Sequence, residues 1–387
     1  MPKRILILGG YGQAGSRIAA LLLKETDVHV VLGGRNPEKA RTTIEGLNRG
    51  LRKDRVSAVR VDAADQRSLA AAFQDLDMVV VASSTMEHVQ AVAEAAIEVG
   101  IDYLDVQLSS PAKLGVLHAL KSRVVEKELC FVTDGGFHPG VPAAMIRRAT
   151  ERFDSLETAV VYAVFQLNWK ELDISGATIQ EFTQELSDFN PTIWKNGRWE
   201  SVGMKGYRKF DFGETFGVRF CTPMFLEELR SLPEKISTLR ETGFYIAGFH
   251  WVVDTIIMPG AMIAVRLSSR RAGNAAARIL AWGLRTFTGP PFGTVLHLVA
   301  EGERKGRSDS LFIRLSHEDA YFLTAAPAVA CLLQMLEGRV SRPGLWLQAH
   351  YVEAARFFQD LERLGVRVET GGNGDPQRPD HVKRRGA

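Results

Sequence analysis

Paired cysteines are missing from this chain. Only three of its 387 residues are cysteines, and Cys130, Cys221 and Cys331 show no paired spacing. This excludes a disulfide framework and the common zinc motifs, and it favours buried thiols in a reducing compartment such as the cytoplasm. The nine histidines show no ligand spacing either, so we expect no metal site.

A strong excess of charge is also missing. The chain has 48 Lys and Arg against 45 Asp and Glu, a net charge of +3. Nucleic-acid-binding proteins carry a concentrated basic stripe, so we expect no nucleic-acid partner. With 45% hydrophobic and 24% charged residues, the composition is that of a soluble globular protein, and the length predicts two domains.

The chain also lacks an uninterrupted apolar run that is long enough to span a membrane. The nearest approach, Gly243–Val265, contains His250, Asp254 and Pro259, and a central Asp costs roughly 2.5–3.5 kcal/mol on insertion. We favour an element that is buried in a core or in a subunit interface. Burial in a subunit interface would make the protein a homodimer, which we expect. Membrane contact at the surface is the less favoured alternative. The chain starts with Lys3-Arg4 before a strand, so we expect no signal peptide.

Strands and helices alternate over residues 1–140, which predicts a Rossmann domain with a doubly wound parallel sheet. The predicted strands are the apolar runs Ile5–Leu8, Val28–Leu32, Val56–Val61, Met78–Ala82, Tyr103–Val106 and Leu129–Thr133. Residues 141–325 change in pattern. A strand at Thr158–Leu167 and a hairpin of Thr294–Ala300 with Ser310–Leu315 predict an α+β domain with a mainly antiparallel sheet. Residues 326–368 predict helices, and 369–387 a disordered tail.

A glycine-rich turn follows the first strand and opens a helix. Its residues are Gly10, Tyr11, Gly12, Gln13, Ala14 and Gly15. In this context G-x-G-x-x-G predicts a dinucleotide site: the first glycine permits the tight turn, the second admits the pyrophosphate, and the third lets helix and strand pack closely. The helix N-terminus would then bind the phosphates. A purely structural glycine turn is the alternative.

The second strand ends without the acidic residue that binds the ribose of NAD. Arg35 and Asn36 stand there instead, and Asp27 lies at the wrong end of the strand. A guanidinium can bind a 2′-phosphate that a carboxylate would repel, so the sequence predicts NADP. The alternative is a solvated Arg35 beside a helix that Asn36 caps.

Further along the sheet edge, Asp62 ends the third strand, where it can reach the adenine or cap a turn. Ala82, Ser83 and Ser84 end the fourth strand and leave room for the cofactor.

Candidates for proton transfer follow the fifth and sixth strands, because residues at these carboxyl ends face the ligand crevice. Asp105 and Gln107 follow the fifth, and Asp134 and His138 the sixth. His138 titrates near neutrality in free peptides and lies in a loop framed by glycine and proline, so it is the first catalytic candidate and Asp105 the second. Structural hydrogen bonding of either residue is the alternative.

These motifs resemble the saccharopine dehydrogenase-like family. The resemblance rests on the N-terminal GGYGQAG, Gly34-Arg35-Asn36, Tyr103-Leu104-Asp105 and the loop Gly136-Phe137-His138-Pro139-Gly140, with weaker likeness at Thr324–Pro327 and Phe357–Gly365. It implies an NADP-dependent oxidoreductase with a substrate and dimerisation domain and C-terminal helices that return to the Rossmann domain.

The middle domain departs from the amino-acid-handling members of that family, because it shows no arginine and acid cluster suited to a diamino-dicarboxylate. It is rich instead in aromatic residues, which would line an apolar substrate pocket or fill the core. These are Trp194, Trp199, Phe210, Phe212, Phe216, Phe244, Phe249 and Trp251.

The sequence therefore predicts hydride transfer to or from a C=N, C=O or C=C bond of a small substrate. A non-catalytic NADP sensor and a membrane-associated lipid-pathway reductase are the alternatives.

Overall fold

The computed structural model describes residues 2–49, 55–171, 189–267, 270–338 and 342–372. Their contacts divide the chain into two compact units. The first unit combines Met1–Ala144 with Tyr321–Val366, and the second combines Met145–Ala320 with Arg367–Ala387.

The first unit is built on a seven-stranded parallel sheet of order β15-β6-β5-β4-β1-β2-β3. Its strands are β1 (Arg4–Leu8), β2 (His29–Gly34), β3 (Val56–Arg60), β4 (Met78–Val81), β5 (Asp102–Asp105), β6 (Cys130–Thr133) and β15 (Gly344–Leu347). The predicted doubly wound parallel sheet is confirmed. Its order reverses beside β1, which places the ligand crevice at the carboxyl ends of β1 and β4.

Helices follow the strands in the first unit. They are α1 (Gln13–Glu25), α2 (Pro37–Asn48), α3 (Gln66–Ala72), α4 (Val89–Val99), α5 (Pro111–Glu126), α10 (Ala320–Leu336), α11 (Gln348–Tyr351) and α12 (Ala354–Leu364), with a 3₁₀ turn at Met86–His88. Leu6, Val79 and Tyr103 from neighbouring strands pack in one buried cluster with apolar residues of α3, α4 and α5. Each fully buried side chain of this kind stabilises the fold by about 1.5–3 kcal/mol.

The seventh strand differs from the sequence prediction, which had six strands followed only by helices. Strand β15 pairs in parallel with β6, Gly344 beside Cys130. Its helical neighbour α12 agrees better with the sequence: Glu353 caps its start, and Gly365 ends it with a φ of 112°.

The second unit is built on a nine-stranded mixed sheet. Seven strands have the order β10-β11-β12-β7-β13-β14-β16, and β8 pairs with β12 and β9. Among the described strands of this sheet, only β12 and β7 pair in parallel, so the predicted mainly antiparallel sheet is confirmed. The strands are β7 (Ser155–Gln166), β8 (Thr192–Lys195), β9 (Arg198–Ser201), β10 (Arg208–Asp211), β11 (Val218–Met224), β12 (Glu241–Ala247), β13 (Gly293–Arg304), β14 (Arg307–His317) and β16 (Arg367–Gly372).

The remaining helices accompany this sheet. They are α6 (Pro142–Thr150), which spans the boundary of the units in sequence, α7 (Leu232–Lys235), α8 (Met258–Leu267) and α9 (Arg270–Phe287), with 3₁₀ turns at Gly203–Gly206 and Glu227–Leu229.

Two predictions for this unit need correction. Residues 369–372 belong to strand β16 and not to a disordered tail; residues 373–387 lie outside the described residues. The apolar run Gly243–Val265 is not one element, because it contains most of β12, a π-helical turn at Val253–Ile257 and most of α8. Among the described residues, no helix is both long and apolar enough to cross a membrane.

Four of the eight aromatic residues named from the sequence fill the core of this unit. Phe210, Phe212, Phe216 and Phe244 are all buried, and the first three pack with Tyr162 and Tyr245 against the sheet. These four residues therefore do not supply the apolar substrate pocket that the sequence allowed.

Candidate active site

The glycine-rich turn has the geometry of a phosphate cradle. Gly9 N–H donates to Gly33 O at 2.8 Å, and Gly12 N–H donates to Gly9 O at 2.8 Å. A methyl group on Gly15 would collide with the Gly9 carbonyl, so the helix can approach the strand only if residue 15 is glycine.

The residue in the left-handed region is Gly9, with a φ of 85°, and not Gly10, to which the sequence assigned the tight turn. Gly10 is needed for another reason, because a methyl group there would lie 2.8 Å from the Leu32 side chain and 2.9 Å from Ile7 O.

Helix α1 begins directly after this turn. Its first position follows Gly12, and no side chain forms a capping hydrogen bond there. Backbone N–H groups of the first turn thus remain available to an anion, which the helix dipole also favours. The cradle and this uncapped helix fit the pyrophosphate of a dinucleotide.

Tyr11 connects the glycine turn to the end of β2. Its hydroxyl accepts a hydrogen bond from Asn36 N–H at 2.9 Å, and its ring occupies the space that a side chain at Gly34 would need. Asn36 Oδ1 accepts from Lys39 N–H and caps α2, as the sequence predicted. Arg35 is exposed at the same edge of the sheet, where its guanidinium is accessible to a 2′-phosphate.

The next two strand ends carry the other predicted cofactor residues. Asp62 Oδ1 accepts from Ala64 N–H at 3.1 Å, so one oxygen of this carboxylate caps a turn. Ala82 and Ser83 adjoin Gly9 closely enough that a side chain on Gly9 would collide with both. Ser84 is exposed after them.

A buried cluster of charges lies at the ends of β5 and β6. Lys113, from the first turn of α5, donates to Asp105 Oδ1 at 2.9 Å and to Asp134 Oδ1 at 2.8 Å. Its third hydrogen bond goes to Gln107 O at 3.0 Å. Asp105, Asp134 and Lys113 are 0–1% exposed, so their charges interact with little solvent screening.

The two aspartates differ in their hydrogen bonding. Asp105 accepts four hydrogen bonds, from Lys113, from Gln107 N–H and from the hydroxyls of Tyr103 and Thr133. The contact with Lys113 is also an ion pair. Asp134 Oδ2, in contrast, is buried with no hydrogen-bond partner among the described residues. Both oxygens of Asp105 are thus hydrogen-bonded, and Asp105 accepts more hydrogen bonds from its neighbours than Asp134 does.

Burial and the neighbouring charges shift the pKa values of this cluster in opposite directions. Burial raises the pKa of Asp134, and the attraction of Lys113 offsets this only in part. Burial alone would lower the pKa of Lys113, but the two aspartates outweigh it and raise that pKa. Lys113 is therefore protonated at neutral pH, and its single positive charge contacts two carboxyl groups.

Gln107 connects this cluster to the cofactor side of the site. Its Nε2 donates to Ser83 O at 3.0 Å and to Thr85 Oγ1 at 3.3 Å. Its Oε1 is buried without a hydrogen-bond partner among the described residues. The amide thus spans the ends of β4 and β5.

The loop after β6 is held from the other end of the chain. Gln348, at the start of α11, donates from Nε2 to Gly136 O at 3.2 Å and to Gly140 O at 3.3 Å. Gly140 has a φ of 128°, and the bond from His138 to Pro139 is cis. The two hydrogen bonds hold the loop on both sides of His138.

His138 itself differs from the sequence expectation. Its ring stacks on Phe137 with centroids 4.2 Å apart, and burial lowers its pKa to about 4. The imidazole is therefore neutral at pH 7, whereas the sequence predicted a group that titrates near neutrality.

Sequence reasoning brought Asp105, Gln107 and Asp134 to the correct edge of the sheet but missed Lys113 and Gln348. The structure places His250 before the helix, and Asp254 Oδ1 accepts from Phe249 N–H at 3.0 Å. In the described ranges, no group of three or more His, Cys, Asp or Glu could hold a metal ion.

Comparison with known proteins supports an NADP-binding domain at the N-terminus. Residues 5–129 match the family model of the saccharopine dehydrogenase NADP binding domain. The structure is similar to apo saccharopine dehydrogenase (L-Glu forming) from Saccharomyces cerevisiae, with a TM-score of 0.72 and 14% identity over 96% of this chain and 99% of that chain. At this identity the likeness concerns the fold.

Two further structures are similar over 34% of this chain. They are Pen from Bacillus thuringiensis (TM-score 0.29, 19% identity, 50% of that chain) and a short-chain type dehydrogenase/reductase from Mycobacterium ulcerans (TM-score 0.29, 16% identity, 66% of that chain). Both scores are below 0.5, so these likenesses add nothing about function.

The glycine cradle and the uncapped helix fit a dinucleotide, and the match over residues 5–129 supports NADP as that dinucleotide. The chain thus has an NADP-binding domain of the saccharopine dehydrogenase type at residues 5–129 and a fold similar to saccharopine dehydrogenase over 96% of its length, which supports an NADP-dependent oxidoreductase.

Proposed function

We propose that this protein is a reductase or dehydrogenase that prefers NADP over NAD and acts on a C=N, C=O or C=C bond of a small substrate. The observation that carries the proposal is the rigid loop around His138, at the strand end that faces the nicotinamide half of the crevice in a doubly wound sheet. When bound, the cofactor supplies or accepts the hydride; the protein must orient the reacting bond and handle a proton.

His138 has the properties of a neutral hydrogen-bond donor. With a pKa of about 4 it carries no charge at pH 7, so one ring nitrogen bears a proton and the other accepts. A neutral imidazole of this kind can donate a hydrogen bond to the oxygen of a carbonyl or to the nitrogen of an imine and so polarise the bond. In our proposal it contacts the reacting bond of the substrate.

Lys113, Asp105 and Asp134 act as positioning residues. Asp105 O accepts from Gly135 N–H at 2.7 Å, so the cluster fixes the start of the same loop that Gln348 holds further on. Preorganised hydrogen bonds of this type avoid reorganisation when charge develops in the transition state.

Turnover of NADPH with a panel of imines, ketones and enoyl compounds tests the proposal. We expect His138→Ala to lower kcat by about 10²–10⁴ and to leave the Kd for NADPH unchanged. His118→Ala is the matched control, because His118 is exposed on α5 of the same unit. The melting temperature of each variant separates loss of chemistry from loss of the loop.

Two results would contradict this function. Normal turnover in a stable His138→Ala variant would remove His138 from the site. Tight NADPH binding without turnover on any substrate of the panel would favour a non-catalytic NADP sensor.

A further inference from the structure

The backbone of Gln107, two residues after the end of β5, is held on both sides. Gln107 N–H donates to Asp105 Oδ1 at 3.2 Å, and Gln107 O accepts from Lys113 Nζ at 3.0 Å. Asp105 and Lys113 are buried and form an ion pair with each other. The side chain of Gln107 therefore starts from a fixed position beside this pair.

The amide of Gln107 has one orientation that fits its neighbours. Its Nε2 donates to Ser83 O at 3.0 Å and to Thr85 Oγ1 at 3.3 Å, and these two bonds use both N–H groups of the amide. Ser83 O is a carbonyl oxygen and can only accept, so rotation of the amide by half a turn would bring two acceptors together. The position of Oε1 follows from these two bonds.

Oε1 of the same amide is an acceptor that the described part of the chain does not use. Gln107 is 8% exposed, and its Oε1 is buried with no hydrogen-bond partner among the residues that the structure describes. Buried polar groups in folded proteins are nearly always paired, because an unpaired group loses its hydrogen bonds to water and gains none. An acceptor held in this way is suited to a donor group of a ligand.

The place of this acceptor in the parallel sheet indicates which part of the cofactor it meets. The glycine turn after β1 fits the pyrophosphate, and the adenosine end of a dinucleotide lies toward β2, which Arg35 follows. The nicotinamide end then lies toward β4 and β5, whose ends Gln107 joins. Ser83 adjoins the glycine turn, since a methyl group on Gly9 would lie 2.8 Å from Ser83 Cβ. Gln107 is thus one residue away from the pyrophosphate cradle, on the side of the nicotinamide.

The nicotinamide nucleoside offers the donors that this acceptor requires. Phosphate oxygens only accept hydrogen bonds, whereas a carboxamide has two N–H donors and a ribose hydroxyl has one O–H donor. We propose that Gln107 Oε1 accepts a hydrogen bond from the nicotinamide nucleoside of the bound cofactor, from its carboxamide or its ribose, and so orients the ring. The inference rests on the NADP binding of the proposed function and not on its chemistry.

Calorimetric titration of the full chain with the cofactor and with its adenosine end tests the proposal. Adenosine 2′,5′-bisphosphate contains the adenosine end and lacks the nicotinamide nucleoside. Gln107→Met keeps the length of the side chain and removes the amide. We expect this variant to bind NADPH about tenfold more weakly, the scale of one hydrogen bond. Its affinity for adenosine 2′,5′-bisphosphate should equal that of the wild type.

A cofactor analogue distinguishes the two donors. The acetylpyridine analogue of NADP has an acetyl group in place of the carboxamide, so it lacks the N–H groups and keeps the ribose. If the carboxamide is the donor, the preference for NADP over the analogue should be about tenfold larger in the wild type than in Gln107→Met. An equal preference in both proteins, together with the tenfold loss of NADPH affinity, would assign the donor to the ribose.

Gln334→Met is the matched control. Gln334 is also buried in the first unit, and its amide forms hydrogen bonds with the backbone of Glu353. This variant should bind NADPH like the wild type. Thermal melting shows whether each variant is folded, and Gln107→Ala, which needs less space, replaces Gln107→Met if methionine prevents folding.

Two outcomes would overturn the proposal. The first is unchanged NADPH binding in a folded Gln107 variant. The second is an equal loss of affinity for NADPH and for adenosine 2′,5′-bisphosphate, which would show that Gln107 only supports the shape of the site. Every measurement is a binding constant, so the result does not depend on a substrate. Turnover by the wild type is measured separately, so failure here leaves the proposed chemistry standing.

Discussion

The proposed preference for NADP depends on Arg35, an exposed residue that follows β2. Arg35→Ala should weaken NADPH binding by about 1.5–3 kcal/mol, the scale of a hydrogen bond to a charged group, and leave NADH binding nearly unchanged. Titration of both cofactors by fluorescence measures this. Arg41→Ala is the control, because Arg41 is exposed on α2 and pairs with Glu38. Equal losses for both cofactors would show that Arg35 is structural.

Lys113 should be important for stability. Lys113→Met leaves Asp105 and Asp134 buried without their cation, and removal of one partner of a buried ion pair costs about 3–5 kcal/mol. Urea denaturation measures the free energy of unfolding.

The double variant K113M/D134N tests whether the stability lost in Lys113→Met can be recovered. Removal of one carboxylate charge should restore part of the lost stability, and the double-mutant cycle gives the coupling. Additive losses would contradict the view that these side chains form one electrostatic unit.

His138 should make the protein less stable in mild acid. Its folded pKa of about 4 lies below its ordinary 6.5, so the unfolded chain takes up a proton first as the pH falls. The free energy of unfolding should decrease between pH 6.5 and 4, with His138 contributing about 2 kcal/mol of the loss. Urea melts at several pH values should show a shallower decrease for His138→Asn than for wild type. Parallel curves would mean that His138 titrates normally.

The candidate site could be predicted only in part from local sequence. Asp105 and Asp134 follow apolar strands, so their place at the sheet edge was predictable. Lys113 was not, because lysine on a helix is almost always exposed, and its burial depends on two aspartates from different strands. Gln348 lies more than 200 positions from the loop that it holds, and no local pattern reports such a contact.

At the scale of elements, strand β15 was missed for the same reason: local patterns do not report contacts between residues that are distant in sequence. The Asn36 cap and the strand–helix rhythm are local signals, and both were confirmed; the glycine turn also forms, but with Gly9 and not Gly10 in the left-handed region. Strand β15 has four residues in a region of helices, and it is defined only by pairing with β6. A short apolar run of that kind does not distinguish strand from helix.

The segment of β15 and α11 should control the loop around His138. Gln348→Leu removes both hydrogen bonds to Gly136 O and Gly140 O, so the loop should lose its fixed geometry. We expect kcat to fall at least tenfold, while the Kd for NADPH stays the same because the glycine cradle is untouched. Gln334→Leu, which removes a pair of bonds to Glu353 elsewhere in the unit, is the control. A parallel fall in both variants would indicate general destabilisation.

At the scale of the molecule, the first unit needs both ends of the chain. A chain that ends at Gly338 lacks β15 and the buried residues Tyr351, Phe357 and Leu361. It should lose cooperative thermal unfolding and NADPH binding, because β6 becomes an unpaired edge. A chain that ends at Gly372 keeps all described strands and should melt like the full chain. Calorimetry compares the two, and retained NADPH binding in the shorter chain would contradict this.

Strand β15 also has a consequence for synthesis on the ribosome. Strand β6 emerges early but cannot pair with β15 until residues 344–347 have been made, and β14 must wait for β16 at 367–372. The first sheet can therefore be completed only after residue 347 has been made and the second only after residue 372, although domains usually fold as units with the N-terminal one first. The nascent chain exposes two unpaired strand edges during this interval. A holding chaperone should bind nascent chains of up to about 340 residues and be released once the last strand emerges.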